Sequence, residues 1–182
     1  MGVVKLGVVG CGFISGIHER AFAALRGKME VAGCCDLILE RAEAMARAVK
    51  CDFVCTDYRE LFDRVDAVLL AVPHEEHFPI GSDCIRHGKH VLMEKPMAVD
   101  ERECLDLIRL ADEYDVKFMV AYIMRYHPMC TRLREIVDDR RYGELFQMSI
   151  WTEQFTRQEG YDYSAHALGG GQIVEPLEHA VD

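Results

Sequence analysis

Short apolar runs alternate with longer amphipathic segments along the first 121 residues. The runs have the length of buried strands, and the segments between them repeat apolar residues with the period of an α-helix. Strands are predicted at Val3–Val9, Glu30–Cys35, Phe53–Cys55, Ala67–Val72, His90–Met93 and Lys117–Ala121. Helices are predicted at Ile14–Arg26, Leu39–Val49, Tyr58–Phe62, Phe78–His87 and Glu101–Tyr114. This alternation predicts a doubly wound α/β fold, a parallel sheet covered on both faces.

In the last of these helices, the period places Cys104, Leu105, Ile108 and Ala111 on one face, which we expect to be buried. Asp100 precedes the helix and can cap its first turn.

The alternation stops after residue 121. A helix is predicted near Met129–Asp139, a long strand over Leu145–Phe155 and a final helix over Pro176–Asp182. We therefore predict a Rossmann domain over residues 1–121 and the beginning of an α+β substrate domain over residues 122–182. Because one long strand without partners leaves open backbone edges, we expect this second domain to be truncated.

Composition narrows the choice of partners and compartment. The 182 residues include 21 basic and 31 acidic side chains, a net charge of -10, which argues against nucleic-acid binding. No apolar run approaches the roughly 20 residues of a membrane helix, and the first residues lack the layout of a signal peptide. The sequence thus favours a cytoplasmic protein with no membrane partner.

The eight cysteines do not predict a metal site. Most lie in apolar segments, where a thiol behaves as a small hydrophobe. Cys51 and Cys55 lack a second pair or nearby histidines that would complete a zinc site. We expect reduced thiols and no bound metal.

A glycine motif at the end of the first predicted strand carries the strongest chemical signal. Gly10 and Gly12 occupy the first two positions of a dinucleotide-binding turn, and the small Ser15 occupies the third. Such a turn lets the backbone approach a pyrophosphate, which the helix N-terminus then binds. We expect Gly10, Gly12, Phe13 and Ile14 to contact the cofactor.

Asp36 ends the second predicted strand, 21 residues after Ser15. A carboxylate at this spacing can accept hydrogen bonds from the adenosine ribose hydroxyls and would repel a 2′-phosphate. The sequence therefore favours NAD over NADP. The alternative interpretation is an ordinary turn or N-cap aspartate.

Two further strand ends are candidates for the nicotinamide side, since ligands of such sheets bind beyond the carboxyl ends of the strands. Pro73 and His77 follow the fourth strand, and Glu94-Lys95-Pro96 follows the fifth. The Lys95 ammonium could bind a substrate hydroxyl and favour its alkoxide. For His77, a helix-start histidine bonded to the backbone is an equally good interpretation.

These motifs together resemble the glucose–fructose oxidoreductase/inositol dehydrogenase/rhizopine-catabolism family, Gfo/Idh/MocA. The resemblance rests on Gly10-Cys11-Gly12, Asp36, Asp66 through Pro73, His77, Gly88-Lys89-His90-Val91 and Glu94-Lys95-Pro96. It implies an NAD(H)-dependent oxidoreductase acting on a sugar, cyclitol or related polyol, with a homo-oligomeric parent about twice this length.

The resemblance also implies a catalytic group formed by the Glu-Lys-Pro lysine and a downstream Asp-x-x-x-His pair. Lys95 matches the lysine and His179 the histidine, whereas Glu175 stands at the aspartate position. His179 is expected to accept the hydroxyl proton, and Glu175 to orient it or the substrate. Two alternatives stay open: a non-catalytic NAD-binding sensor or scaffold, and an imine reductase or oxidative glycosidase of the same family.

Overall fold

A computed structural model describes residues 2–149 and residue 151. The chain divides into two units, Met1–Ala121 and Tyr122–Asp182. The first unit contains six strands, at β1 Val4–Val9, β2 Met29–Cys35, β3 Val54–Cys55, β4 Ala67–Leu70, β5 His90–Met93 and β6 Phe118–Val120. Its helices are α1 Phe13–Ala24, α2 Leu39–Val49, α3 His77–Arg86 and α4 Glu101–Glu113, with short 3₁₀ turns at Tyr58–Leu61 and His74–Glu76.

All six strands form one parallel sheet in the order β3-β2-β1-β4-β5-β6. The chain starts in the middle, winds outward through β2 and β3, and returns across β1 to continue with β4, β5 and β6. The order of the strands therefore reverses between β1 and β4. Because ligands of open α/β sheets bind at such a reversal, we expect the candidate site at the carboxyl ends of β1 and β4. The predicted doubly wound fold is confirmed.

The core lies on both faces of the central strands. Val8 of β1 and Val68, Leu69 and Leu70 of β4 are completely buried. One face packs under α3 and α4, whose buried residues include Ile85 and Leu107, and the other packs under α2. Strands buried on both sides explain the continuous apolar runs of the sequence.

The buried face of helix α4 differs from the predicted one. Leu107 and Ala111 are its buried residues, whereas Leu105 and Ile108 remain 51% and 44% exposed. Packing against α3 and the sheet therefore selects a face rotated from the predicted one. The predicted cap is present, because the Asp100 carboxylate accepts the Glu103 N–H at 2.8 Å.

The second unit contains α5, Pro128–Asp139, after a 3₁₀ turn at Ile123–Tyr126. The strand predicted over Leu145–Phe155 is wrong for the part described, since residues 145–149 and Trp151 form no strand. The rest of that strand and the predicted helix Pro176–Asp182 lie outside the described residues. That this unit is a substrate domain stays a prediction.

Candidate functional site

The turn between β1 and α1 is fixed by steric contact with β4. Gly10 has φ +86°, and a Cβ added there would lie 2.3 Å from the carbonyl oxygen of Ala71, which follows β4. No side chain fits that space, and L-residues avoid that backbone conformation. The first glycine of the motif is therefore required by the fold of the turn itself.

Gly12 differs, because a Cβ there would meet no atom within 4 Å. It is the N-cap of α1, and no side chain caps the helix. The first N–H groups of the helix therefore have no side-chain cap, an arrangement suited to binding an anion. Phe13 is 78% exposed and Ile14 36% exposed beside this opening, whereas Ser15 is fully buried and donates to the Gly12 carbonyl oxygen at 2.8 Å.

Asp36 lies directly across the turn from this opening. One carboxylate oxygen accepts the Cys11 N–H at 2.8 Å, and the other accepts the Ile38 N–H at 2.8 Å. The first bond joins the end of β2 to the glycine turn, over 25 residues of sequence. Asp36, expected to bind the ribose, thus lies beside the glycine turn that is expected to bind the diphosphate.

The turn after β5 contacts α1 through a half-buried contact between a histidine and a carboxylate. His18 Nε2 lies 2.6 Å from Glu94 Oε1, and the two side chains are only 16% and 14% exposed. The Lys95 N–H donates to the other Glu94 oxygen at 3.2 Å. Burial acts to raise the pKa of the Glu94 carboxyl, but His18 and the Lys95 N–H act against it, and the net pKa lies below its usual value.

For His77, the structure supports the second of the two interpretations, a histidine bonded to the backbone. Its side chain is completely buried, with Nδ1 2.6 Å from the Pro96 carbonyl oxygen and Nε2 3.0 Å from that of Val72. Burial lowers the pKa of this imidazole, although the two carbonyl groups oppose the shift. Both ring nitrogens face backbone oxygens, so the ring is a bridge between two strand ends rather than a contact to the nicotinamide.

The remaining predicted residues are placed as follows. Pro73 is exposed and precedes the 3₁₀ turn after β4, and Lys95 is half-buried at the carboxyl end of β5. Glu175 and His179 lie outside the described residues, so their expected roles stay predictions.

The sequence analysis missed His18. Its only local signal is that it is the first ionisable side chain of an otherwise apolar helix start. All eight cysteines are free thiols. Residues 2–149 and 151 hold no cluster of three or more His, Cys, Asp or Glu side chains arranged for a metal ion, and none of their helices is both long and apolar enough to span a membrane.

These residues fit a dinucleotide. The open space at Gly12 admits a diphosphate close to the backbone, the uncapped α1 supplies N–H donors, and Asp36 supplies a ribose acceptor. Glu94 and Lys95 follow β5, which lies on the other side of β1 from β2 and Asp36, and Glu94 contacts His18 of α1.

Curated relatives with established names match this chain. It is 26% identical to an inositol 2-dehydrogenase/D-chiro-inositol 3-dehydrogenase of Lactiplantibacillus plantarum, over 99% of this chain and 51% of the relative. It is 32% identical to a UDP-N-acetylglucosamine 3-dehydrogenase of Acidithiobacillus ferrooxidans, over 72% of this chain and 41% of the relative. The chain thus spans about half the length of the curated relatives it matches.

Solved structures also match this chain. The WlbA dehydrogenase of Bordetella pertussis, crystallised in complex with NADH and UDP-GlcNAcA, superposes with a TM-score of 0.73 at 26% identity, over 78% of this chain and 44% of that one. Residues 4–122 match the family model described as an oxidoreductase family with an NAD-binding Rossmann fold. This chain therefore belongs to the Gfo/Idh/MocA family of oxidoreductases, and residues 4–122 form its NAD-binding Rossmann domain.

Proposed function

We propose that the protein is an NAD-dependent oxidoreductase that transfers hydride between NAD and an alcohol carbon of a sugar, cyclitol or related polyol. Two hydrogen bonds carry the proposal, Cys11 to Asp36 and His18 to Glu94. The first joins the glycine turn to Asp36, the proposed ribose acceptor, and the second joins α1 to the turn that holds Lys95. A dinucleotide bound across the carboxyl ends of the strands, with its diphosphate at the start of α1, would then present its reactive ring near Lys95.

The preference for NAD over NADP follows from charge. The Asp36 carboxylate lies where the adenosine ribose would bind, and a 2′-phosphate there would meet it at short range. The next two side chains, Leu37 and Ile38, are exposed and apolar, so they offer no cation to a phosphate. Both features favour the unphosphorylated ribose.

The chemistry assigns a separate role to each residue. NAD, when bound, supplies the hydride acceptor. Lys95 binds the reacting hydroxyl and stabilises negative charge on its oxygen as the C–H bond breaks. His179 accepts the hydroxyl proton, a step that typically contributes about 10²–10⁴-fold, and Glu175 orients the histidine or the substrate.

The substrate class is supported by the names of the relatives. The inositol and UDP-N-acetylglucosamine dehydrogenases are named for substrates with ring hydroxyls. A polyhydroxylated ring offers several hydroxyl groups that a lysine and a histidine can bind.

The test is NAD binding by calorimetry followed by NADH formation across a panel of sugars and cyclitols, with the protein at its full natural length. We expect binding, turnover with at least one polyol, and a loss of about 10²–10⁴-fold in kcat for His179→Ala with little change in NAD affinity. Binding without oxidation of any panel member would favour the sensor or scaffold, and reduction of an imine or cleavage of a glycoside would favour the other alternative.

A homo-oligomer and a cytoplasmic location are also part of the proposal. Light scattering of the protein at its full natural length tests the first, and fractionation of its native cells tests the second.

A further inference from the structure

Lys95 is the residue to which the proposed function assigns contact with the reacting hydroxyl, and both of its chain neighbours are held by histidines. The Glu94 carboxylate contacts His18 of α1, and the Pro96 carbonyl oxygen contacts His77 of α3. These helices lie 59 residues apart in sequence, as counted between the two histidines. The lysine turn is therefore fixed from two sides by two different helices.

We propose that His18 and His77 are positioning residues for Lys95: His18 holds the Glu94 side chain, His77 holds the Pro96 carbonyl group, and together they set where the lysine ammonium lies. This inference rests on the proposed function. The inference goes beyond the proposed function, because that function gives neither histidine a role and their contacts run to Glu94, Pro96 and Val72.

Burial makes both contacts specific. His77 is fully buried, and the His18 and Glu94 side chains are 16% and 14% exposed. Buried polar groups have few water molecules to replace a lost partner, so a change of partner moves the group that was held. A displacement of about 1 Å in a catalytic group can cost about 10²-fold in rate.

The two rings act through different nitrogens. His18 uses Nε2 toward Glu94, whereas His77 uses Nδ1 toward Pro96 and directs Nε2 to Val72. An asparagine amide nitrogen lies near the position of Nδ1, and a glutamine amide nitrogen lies near that of Nε2. Glutamine should therefore replace His18, and asparagine should replace His77. A neutral His77 ring donates to only one of its two carbonyl groups.

If His77 had only a structural role, kcat would not differ between its glutamine and asparagine variants beyond any difference in their stability. His77→Gln keeps the contact to Val72, and His77→Asn keeps the contact to Pro96. Each variant retains one hydrogen bond to the backbone, so the two differ chiefly in which strand end they hold. They form a matched pair, as do His18→Gln and His18→Asn.

The experiment measures kcat, KM, NAD affinity and thermal midpoint for these four variants at full natural length. We expect His18→Gln and His77→Asn to keep most of kcat, and His18→Asn and His77→Gln to lose about tenfold to a hundredfold. KM and NAD affinity should change much less. Equal losses of kcat within each pair, or losses that follow the thermal midpoints, would overturn the proposal.

A double-mutant cycle separates action through Lys95 from independent effects. In a Lys95→Met background, His18→Asn and His77→Gln should cause little further loss of kcat. Full addition of the losses would contradict the proposal.

A second measurement needs no turnover, so it distinguishes failure of this proposal from failure of the proposed function. The rate of acylation at Lys95 is followed by peptide mass spectrometry, with the exposed Lys28 as the internal reference. We expect the Lys95 rate to change severalfold in His18→Asn and His77→Gln and to stay close to wild type in the matched partners. Unchanged Lys95 labelling in all four variants would overturn the proposal even if the wild-type protein oxidises no polyol.

Discussion

The two ends of the candidate cofactor site are built in different ways. At the adenosine end, the glycine turn is shaped by the backbone, through the positive φ of Gly10 and its close approach to Ala71. At the lysine end, Glu94 and Pro96 are held by side chains that come from α1 and α3. A backbone-shaped turn tolerates no change of its glycine, whereas a turn held by side chains depends on distant partners.

The largest expected effect is on catalysis at the lysine end. Lys95→Met removes the ammonium that would stabilise the developing alkoxide, and we expect kcat to fall about 10²–10³-fold. Steady-state assays measure this fall, and calorimetry should find nearly unchanged NAD affinity. Lys28→Met, an exposed change elsewhere on the domain, is the control. A comparable fall in the control, or a kcat for Lys95→Met close to wild type, would remove Lys95 from the mechanism.

The second prediction compares the two glycines at the adenosine end. Gly10→Ala places a Cβ against the Ala71 carbonyl oxygen at positive φ, and we expect it to lower the free energy of unfolding by about 3 kcal/mol. Gly12→Ala meets no neighbouring atom and should change that free energy by less than about 1 kcal/mol.

The same pair separates folding from binding. Because its added methyl group occupies the space meant for the diphosphate, Gly12→Ala should weaken NAD binding about tenfold. Urea unfolding and calorimetry measure the two quantities. Equal destabilisation by both substitutions would show that the turn is not shaped as described.

A smaller effect is expected at Asp36, the proposed acceptor for the adenosine ribose. Asp36→Asn keeps the size of the side chain but removes its charge, and we expect the ratio of NAD to NADP affinity to fall about tenfold. Asp57→Asn is a matched control, since Asp57 also follows a strand and accepts the N–H two residues later, at 3.0 Å. A similar shift of the ratio in both variants would exclude a specific role for Asp36.

The smallest effect concerns acid stability at the lysine end. Because the folded-state pKa of Glu94 lies below its usual value, its ionised form stabilises the fold above pH 4.5 and this contribution is lost as pH falls through the folded value. Glu94→Gln should therefore cost about 1 kcal/mol at neutral pH, and the difference from wild type should shrink in acid. Urea unfolding across pH measures it, with the exposed Glu40→Gln as control. A difference that grows in acid would contradict the assignment.

The contrast between the two ends also explains what the sequence could predict. The glycine turn and Asp36 are readable because strand, turn and helix follow one another directly, so spacing fixes the geometry. The contact between His18 and Glu94 joins residues 76 positions apart, and no local pattern indicates it. For His77, spacing identified the strand end but not the direction of the ring.

The errors elsewhere have the same origin. In α4, helical period allowed more than one apolar face, and packing against α3 buried Leu107 instead of Leu105 and Ile108. In the second unit, a long strand was predicted from Leu145, but a strand needs a hydrogen-bonding neighbour that local sequence does not specify.

A crystal structure of the protein with NADH tests the central claim most directly. We predict the diphosphate on the N–H groups at the start of α1, the adenosine ribose on the Asp36 carboxylate, and the nicotinamide ring against the Lys95 turn. A dinucleotide bound away from Gly12 and Asp36, or bound there with its nicotinamide directed away from Lys95, would contradict the account.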